Sequence, residues 1–147
     1  MGESTDSRAE SFIGTWRLLS CELRTADGDI SYPYGRDARG YITYTADGYM
    51  SVSIMSDGRR NFADGDLLGG TVEEKLAAAE SYISYCGKYQ VREDRVIHNI
   101  EVASFPNFVG DSQERLFQFS AGRLSLSTVP ILLEGKQRTG HLVWERV

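Results

Sequence analysis

Short runs in which apolar and polar residues alternate recur along most of the chain, and tight turn signals separate them. Eight runs have the length of strands, and they lie at residues 15–24, 40–45, 49–55, 86–92, 95–104, 111–120, 123–128 and 137–147. Because turns as short as Ala46-Asp47-Gly48 join consecutive runs, neighbouring strands should pair as antiparallel hairpins. The pattern predicts an all-β fold, an eight-stranded antiparallel up-and-down barrel, since closure removes exposed edge strands. A β-sandwich is the alternative, although it usually needs longer crossovers.

One segment between the third and fourth runs departs from the strand pattern. Thr71 and Glu74 have the spacing of a capping box, and the alanine run at 77–79 favours helix. Apolar residues then recur on one face, so the sequence predicts a single amphipathic helix over residues 72–84. The preceding residues, 56–70, are polar and rich in glycine, and we expect them to be mobile.

Length and charge limit the classes of partner. A chain of 147 residues has the length of one domain, and we expect a barrel over residues 11–147 after a disordered lead-in at residues 1–10. A net charge of −5 argues against nucleic acid or an anionic membrane as a partner. Neither a long apolar run nor a signal-peptide core is present, which indicates a cytoplasmic protein without a membrane span. Cys21 and Cys86 lack metal-ligand spacing and are expected to be free buried thiols, with a disulfide as the alternative in an oxidising compartment.

Charged residues mark the outer face of each predicted strand, so the residues between them should point inward. In the run at 95–104, Asn99 and Glu101 mark the wet face and leave His98 on the dry one. The same rule points Arg115 and Tyr44 inward on two other strands. It assigns nine further residues to a ligand-facing interior: Met50, Val52, Ile54, Tyr89, Ile100, Val102, Gln113, Phe117 and Phe119.

Histidine and arginine are rarely buried without partners. Taken singly, each has an ordinary explanation, because His98 could donate to a backbone carbonyl and Arg115 could extend to solvent. Together on adjacent strands they predict the polar centre of a cavity that holds one small molecule. No cofactor and no metal are expected, since the sequence has neither a ligand-spaced cluster nor a phosphate-binding glycine loop.

Motifs at both ends of the chain resemble a known family. The first strand carries the Gly-x-Trp motif Gly14-Thr15-Trp16, and the last strand ends in LVWER at Arg146. With the runs GYITYTADGYMSV, YCGKYQV and VIHNIEVASFPNFVG, these motifs resemble the bacterial and fungal lipocalin-like domain family over residues 11–147. The resemblance implies a barrel with a cavity for a hydrophobic molecule, in which Trp16 and Arg146 form a structural cation–π pair at the closed base. Barrels of this kind often pair through an outer face, so a homodimer is one expected state.

Two functions fit these residues, and the sequence leaves both open. In the first, the barrel binds a small hydrophobic or aromatic molecule, and His98 or Arg115 fixes its carboxylate or phenolate. In the second, which the occurrence of lipocalin-like barrels in natural-product pathways suggests, the protein is a cofactor-free cyclase or isomerase of polyketide-like substrates. His98 would then be the general acid or base, Arg115 would stabilise an oxyanion, and Tyr44 or Tyr89 would donate a hydrogen bond.

Overall fold

Residues 8–147 are described by the structure, a computed structural model, and they form strands with two helices and one 3₁₀ turn. Helix α1 covers residues 8–12, helix α2 is Val72–Glu80, and the 3₁₀ turn is Pro106–Phe108. The strands are β1 (Gly14–Thr25), β2 (Ile30–Ser31), β3 (Arg39–Tyr44), β4 (Tyr49–Met55), β5 (Tyr82–Arg92), β6 (Arg95–Ala103), β7 (Ser112–Ser120), β8 (Arg123–Thr128), β9 (Ile131–Leu133) and β10 (Lys136–Arg146).

The strands form one closed antiparallel barrel. The hydrogen-bonded order is β2-β1-β3-β4-β5-β6-β7-β8-β10-β9, and β1 also pairs with β10 from Trp16↔Arg146 to Thr25↔Arg138. Eight strands therefore make the closed wall, while the short β2 and β9 extend beyond it at one end. The predicted eight-stranded antiparallel barrel is confirmed, and closure leaves no long unpaired edge within residues 8–147.

The two ends of the barrel differ in their connections. Tight turns join β3 to β4, β5 to β6 and β7 to β8 at one end. Longer connections, which carry β2, α2, the 3₁₀ turn and β9, meet at the other end, called the loop end below. Aromatic side chains fill the end with the tight turns, called the closed end. Phe12 of α1 is buried there, and its ring centroid lies 5.0 Å from that of Tyr44 and 4.9 Å from that of Phe117. Because β3 and β7 lie on opposite sides of the barrel, Phe12 spans the interior.

Arg146 and Trp16 meet at the closed end. The guanidinium carbon lies 4.1 Å from the centroid of the Trp16 ring. The same guanidinium donates to the backbone carbonyls of Ile13, at 2.8 Å, and Ser11, at 2.7 Å. The Trp16 indole N–H donates in turn to the Phe12 carbonyl at 2.9 Å. The last strand is thus joined to the segment that enters the first one.

The helix between β4 and β5 is shorter than the sequence predicts. Its capping box at Thr71 and Glu74 forms as expected, but α2 ends at Glu80 and the prediction of helix to residue 84 is wrong. Strand β5 begins at Tyr82, because residues 82–85 take backbone partners on β4, with Ile83 opposite Ile54. No residue of α2 is buried, so its expected apolar face does not pack on the core.

A β-bulge interrupts β6 and overturns one site assignment. Gly87 lies opposite Ile100, whereas Cys86 lies opposite Val102. Between these two pairs the backbone advances by one residue on β5 and by two residues on β6, which is a β-bulge in β6. The side chain of Val102 is consequently turned out and is 64% exposed. The prediction that Val102 lines the cavity is therefore wrong. A Cβ atom at Gly87 would lie 1.9 Å from the Asn99 carbonyl oxygen, so the bulge requires glycine there.

Three remaining predictions concern single segments. The lead-in predicted over residues 1–10 falls outside the described residues except for 8–10, which are helical. Both cysteines are unpaired, with Cys21 buried and Cys86 partly buried. Within residues 8–147 no helix is long and apolar enough to cross a bilayer. A cytoplasmic location stays a prediction.

Candidate ligand-binding site

His98 occupies the centre of the barrel with both ring nitrogens in hydrogen-bond contact. Its side chain is 1% exposed. The Tyr44 hydroxyl lies 2.7 Å from Nε2, and the Tyr85 hydroxyl lies 2.8 Å from Nδ1. These three side chains are called the tyrosine–histidine chain below. The histidine is thus held by two other interior side chains rather than by a backbone carbonyl.

The tyrosine–histidine chain extends across the barrel interior because its three members lie on three different strands. Tyr44 ends β3, His98 lies in the middle of β6, and Tyr85 lies near the loop end of β5. Gly87, which lies between Tyr85 and Tyr89 on the inner face of β5, has no side chain, and backbone atoms of Asn99 fill the place of its Cβ. The hydrogen bonds therefore run from the closed end, through His98, toward the loop end.

All three members are neutral near pH 7. Burial, reinforced by the positive charge of Arg115, lowers the pKa of His98 to about 3. Burial also raises the pKa of Tyr44 well above its ordinary value, and it raises the pKa of Tyr85. A neutral imidazole donates from one nitrogen and accepts at the other. One tyrosine therefore donates to His98 while the other accepts from it.

Arg115 of β7, whose backbone lies opposite Val96 of β6, adds a positive charge that has no carboxylate partner within residues 8–147. Its Nη1 donates to the Gln113 side-chain oxygen at 3.3 Å and to the Glu114 carbonyl at 3.1 Å. Gln113 itself donates to the Asp111 carboxylate, in the connection between β6 and β7, at 2.7 Å. No ion pair involves Arg115 within the described residues. The positive charge of Arg115 adds to the lowering of the His98 pKa by burial, and it opposes the rise that burial causes in the pKa of Tyr85.

The other predicted site residues divide into two groups. Four are buried in the interior packing: Met50, Val52, Ile54 and Ile100. Phe117 and Phe119 face inward on β7, are half-buried, and contact the ring of Phe12 edge-on.

Tyr89 faces inward but does not join the polar centre. Its ring packs edge-on against Tyr44, with centroids 4.9 Å apart, and its hydroxyl donates to the Thr45 carbonyl at 2.8 Å. The Tyr89 hydroxyl therefore forms its hydrogen bond at the closed end of the barrel, away from His98.

Tyr85 was missed in the sequence, although a signal for it was present. The predicted helix ran to residue 84 and the next strand began at residue 86, so Tyr85 belonged to neither. It has the same parity as Gly87 and Tyr89, which the face rule does point inward. Extending that strand by four residues would have found it.

The loop end is lined by further aromatic and apolar groups. Phe108 of the 3₁₀ turn contacts Tyr85 edge-on, with centroids 6.0 Å apart. Phe105 and Val109 on the same connection are exposed. A separate groove of about 850 Å³ lies between residues 56–63 and α2, outside the barrel wall, and none of its lining residues belongs to the tyrosine–histidine chain.

A barrel with one buried polar centre and a cationic side chain beside it is a small-molecule binding fold. The protein belongs to the lipocalin-like domain family, whose model matches residues 13–147. It is similar to the 4'-hydroxy-3'-methoxypropiophenone carrier protein ppsC of Aspergillus oryzae, with 33% identity over 107 residues that cover 67% of this chain and 96% of that protein. It also resembles a crystal structure of a lipocalin-like protein from Bacteroides uniformis, with 13% identity, a TM-score of 0.48, and coverage of 92% of this chain and 98% of that one.

Proposed function

We propose that this protein binds and carries a small aromatic molecule, which enters at the loop end and places a polar oxygen beside Tyr85 and Arg115. The observation that carries this proposal is the tyrosine–histidine chain, a buried polar centre within an apolar and aromatic interior. Polar groups are expensive to bury, so a stable fold alone would be served by an apolar residue in place of His98. A few fixed polar groups in an apolar barrel are what a small-molecule site requires.

The position of Arg115 supports a ligand with an acceptor oxygen. Arg115 is a partly buried residue and has no carboxylate partner among residues 8–147. An unpaired cation in a partly desolvated place attracts an oxygen that bears negative charge or a strong dipole. The similarity to a carrier of 4'-hydroxy-3'-methoxypropiophenone supports an aryl ketone with a phenolic ring as the ligand class.

The cyclase or isomerase alternative gains no support from the geometry. A general acid or base works best when its pKa is near the operating pH, whereas the pKa of His98 is lowered to about 3. Both of its ring nitrogens also already contact tyrosine hydroxyls. His98 is placed to hold its neighbours rather than to exchange a proton with a substrate.

Titration with 4'-hydroxy-3'-methoxypropiophenone tests the proposal. Trp16 and Trp144 are buried in the barrel interior, so their fluorescence should report occupation of the barrel. We expect saturable binding at one site, with Kd raised about tenfold in Arg115→Ala because a hydrogen bond to a charged group is lost. Arg92→Ala, which removes an exposed arginine at the closed end of β5, is the matched control and should bind like the wild type. Absence of saturable binding, or equal Kd values for Arg115→Ala and the wild type, would refute the proposal.

A further inference from the structure

We propose that the tyrosine–histidine chain has one fixed direction, in which Tyr44 donates to His98, His98 donates to Tyr85, and the Tyr85 hydroxyl donates to a carbonyl oxygen of the ligand. The inference rests on the proposed function and adds to it the chemical group that the site selects. It makes His98 a positioning residue and Tyr85 the donor that contacts the ligand.

The direction follows from what each tyrosine proton can reach. Tyr44 is fully buried, and within residues 8–147 the structure gives its hydroxyl no hydrogen-bond partner other than His98 Nε2. If His98 donated to Tyr44, the Tyr44 proton would be left in the interior without an acceptor, which is costly. If Tyr44 donates instead, its proton is satisfied and His98 carries its own proton on Nδ1.

The other end of the chain then presents a free proton. Tyr85 accepts from His98 Nδ1 in this arrangement, so its own proton needs an acceptor. The charged group beside Tyr85 is Arg115, which has only donors and cannot accept that proton. Phe108 covers the ring from the loop end and offers no acceptor on its side chain. The Tyr85 proton is therefore left for an acceptor oxygen of the ligand, and N–H groups of Arg115 beyond the one that donates to Gln113 and Glu114 can donate to the same oxygen.

A carbonyl oxygen meets this requirement better than a group that must also donate. A ketone accepts two hydrogen bonds and leaves no proton unsatisfied. An otherwise identical ligand with a methylene in place of the carbonyl would leave both donors without a partner. A site built around such donors rejects the analogue that lacks the acceptor.

The tautomer can be measured without a ligand. The protein has two histidines, His98 and His141. A His141→Gln variant labelled with ¹⁵N therefore shows the imidazole signals of His98 alone. Its ¹⁵N chemical shifts should identify Nδ1 as the nitrogen that carries the proton and Nε2 as the bare one at pH 7. A proton on Nε2 would overturn the proposed direction, whatever the protein binds.

Ligand preference is the second test, with 4'-hydroxypropiophenone and 4-propylphenol as probes that differ only in the carbonyl. We expect the wild type to bind the ketone about tenfold more tightly, and Tyr85→Phe to lose that preference. Tyr82→Phe, on the same strand but with its hydroxyl directed to Ser53, should keep the preference. Equal affinities in the wild type, or a preference that survives in Tyr85→Phe, would overturn the inference and leave the proposed function standing. If neither probe bound the wild type, the proposed function and this inference would both fail.

Discussion

At the scale of single residues, His98 has a state that its surroundings impose. Two tyrosine hydroxyls hold its ring nitrogens, and burial lowers its pKa to about 3 from an ordinary value of 6.5. The folded protein therefore keeps a neutral imidazole at a pH where the unfolded chain protonates it. A buried group of this kind links the stability of the fold to pH.

The sign of that link gives a first prediction. Well above pH 6.5 both states have a neutral imidazole, and His98 adds no pH dependence. Between pH 6.5 and about 3 the unfolded state binds one more proton than the folded state, so the free energy of unfolding falls as the pH falls. The loss is at most about 1.4 kcal/mol per pH unit. Urea denaturation at pH 7, 6 and 5 measures it.

The appropriate comparison uses a His141→Gln background, in which His98 is the one remaining histidine. His98→Gln in that background should be less stable at pH 7, because both tyrosine hydroxyls lose a partner. It should nevertheless lose less stability between pH 7 and pH 5 than the background does. If the free energy of unfolding fell equally with pH in both variants, His98 would have the same pKa in the folded and unfolded states.

At the scale of elements, the bulge between β5 and β6 decides which side chains face inward. Gly87 makes the close approach to Asn99 possible, and Val102 is turned outward as a result. We predict that Gly87→Ala lowers the free energy of unfolding by about 2–4 kcal/mol, because the new Cβ must displace backbone atoms. Gly65→Ala is the control, since a Cβ there meets no atom within 4 Å. Urea denaturation of both variants decides, and a Gly87→Ala variant as stable as the control would contradict the account.

Residues 56–81, here called the flap, form an element that holds itself together. None of the residues in α2 is buried. Glu74 accepts from the backbone N–H of Thr71 at 2.8 Å and of Ala63 at 2.9 Å. Arg59 donates to the Ala78 carbonyl at 3.1 Å and to the Ser81 hydroxyl at 2.9 Å. The flap is thus ordered by hydrogen bonds at both ends of α2, and it should open independently of the barrel.

Limited proteolysis tests the independence of the flap. Glu74→Ala removes the acceptor that joins the start of α2 to residue 63, so trypsin should cut at Arg59, Arg60 or Lys75 several-fold faster. The thermal midpoint of the barrel should stay close to that of the wild type. Glu73→Ala changes a neighbouring acidic residue without a capping role and should be cut at the wild-type rate. Faster cutting together with a lower midpoint would mean that the flap and the barrel unfold as one unit.

Local patterns predicted the elements better than they predicted the contacts between them. Alternation and turn chemistry were enough for the eight barrel strands and for the inward direction of His98 and Arg115. A bulge depends on the partner strand, so alternation within β6 alone put Val102 on the wrong face. Tyr85, whose hydroxyl contacts His98 Nδ1, was missed because helix propensity extended the predicted helix through residues of β5 that pair with β4.

At the scale of the whole molecule, the two ends of the barrel differ, because packed aromatic side chains fill one end and the longer connections lie at the other. Phe12, Trp16 and Arg146 pack at the closed end, while Tyr85 lies near the loop end of β5. This polarity leaves the loop end as the entrance for the ligand in the proposed function. Pairing of two barrels through an outer face stays a prediction, which the mass measured by light scattering would check.

The packing at the closed end also joins the first and last barrel strands, so it should contribute to global stability. Arg146→Ala removes the stacking on Trp16 and the two hydrogen bonds that the guanidinium donates to the Ile13 and Ser11 carbonyls. We predict that it lowers the free energy of unfolding by about 1–2 kcal/mol. The free energy of unfolding of Arg146→Lys should lie between those of the wild type and Arg146→Ala. An ammonium keeps the charge but lacks the planar guanidinium that donates to both carbonyls.

Arg17→Ala is the control for this substitution, because Arg17 lies on the same pair of strands. It forms an exposed ion pair with Glu145 at 2.8 Å, and surface ion pairs contribute little. Urea denaturation at low and high salt separates the two cases. The effect of Arg146→Ala should persist in high salt, since stacking on an indole ring and donation to carbonyls depend less on screening than an exposed ion pair does. If Arg17→Ala destabilised the protein as much as Arg146→Ala, the contacts of Arg146 with Trp16 and the two carbonyls would contribute no more than an exposed ion pair does.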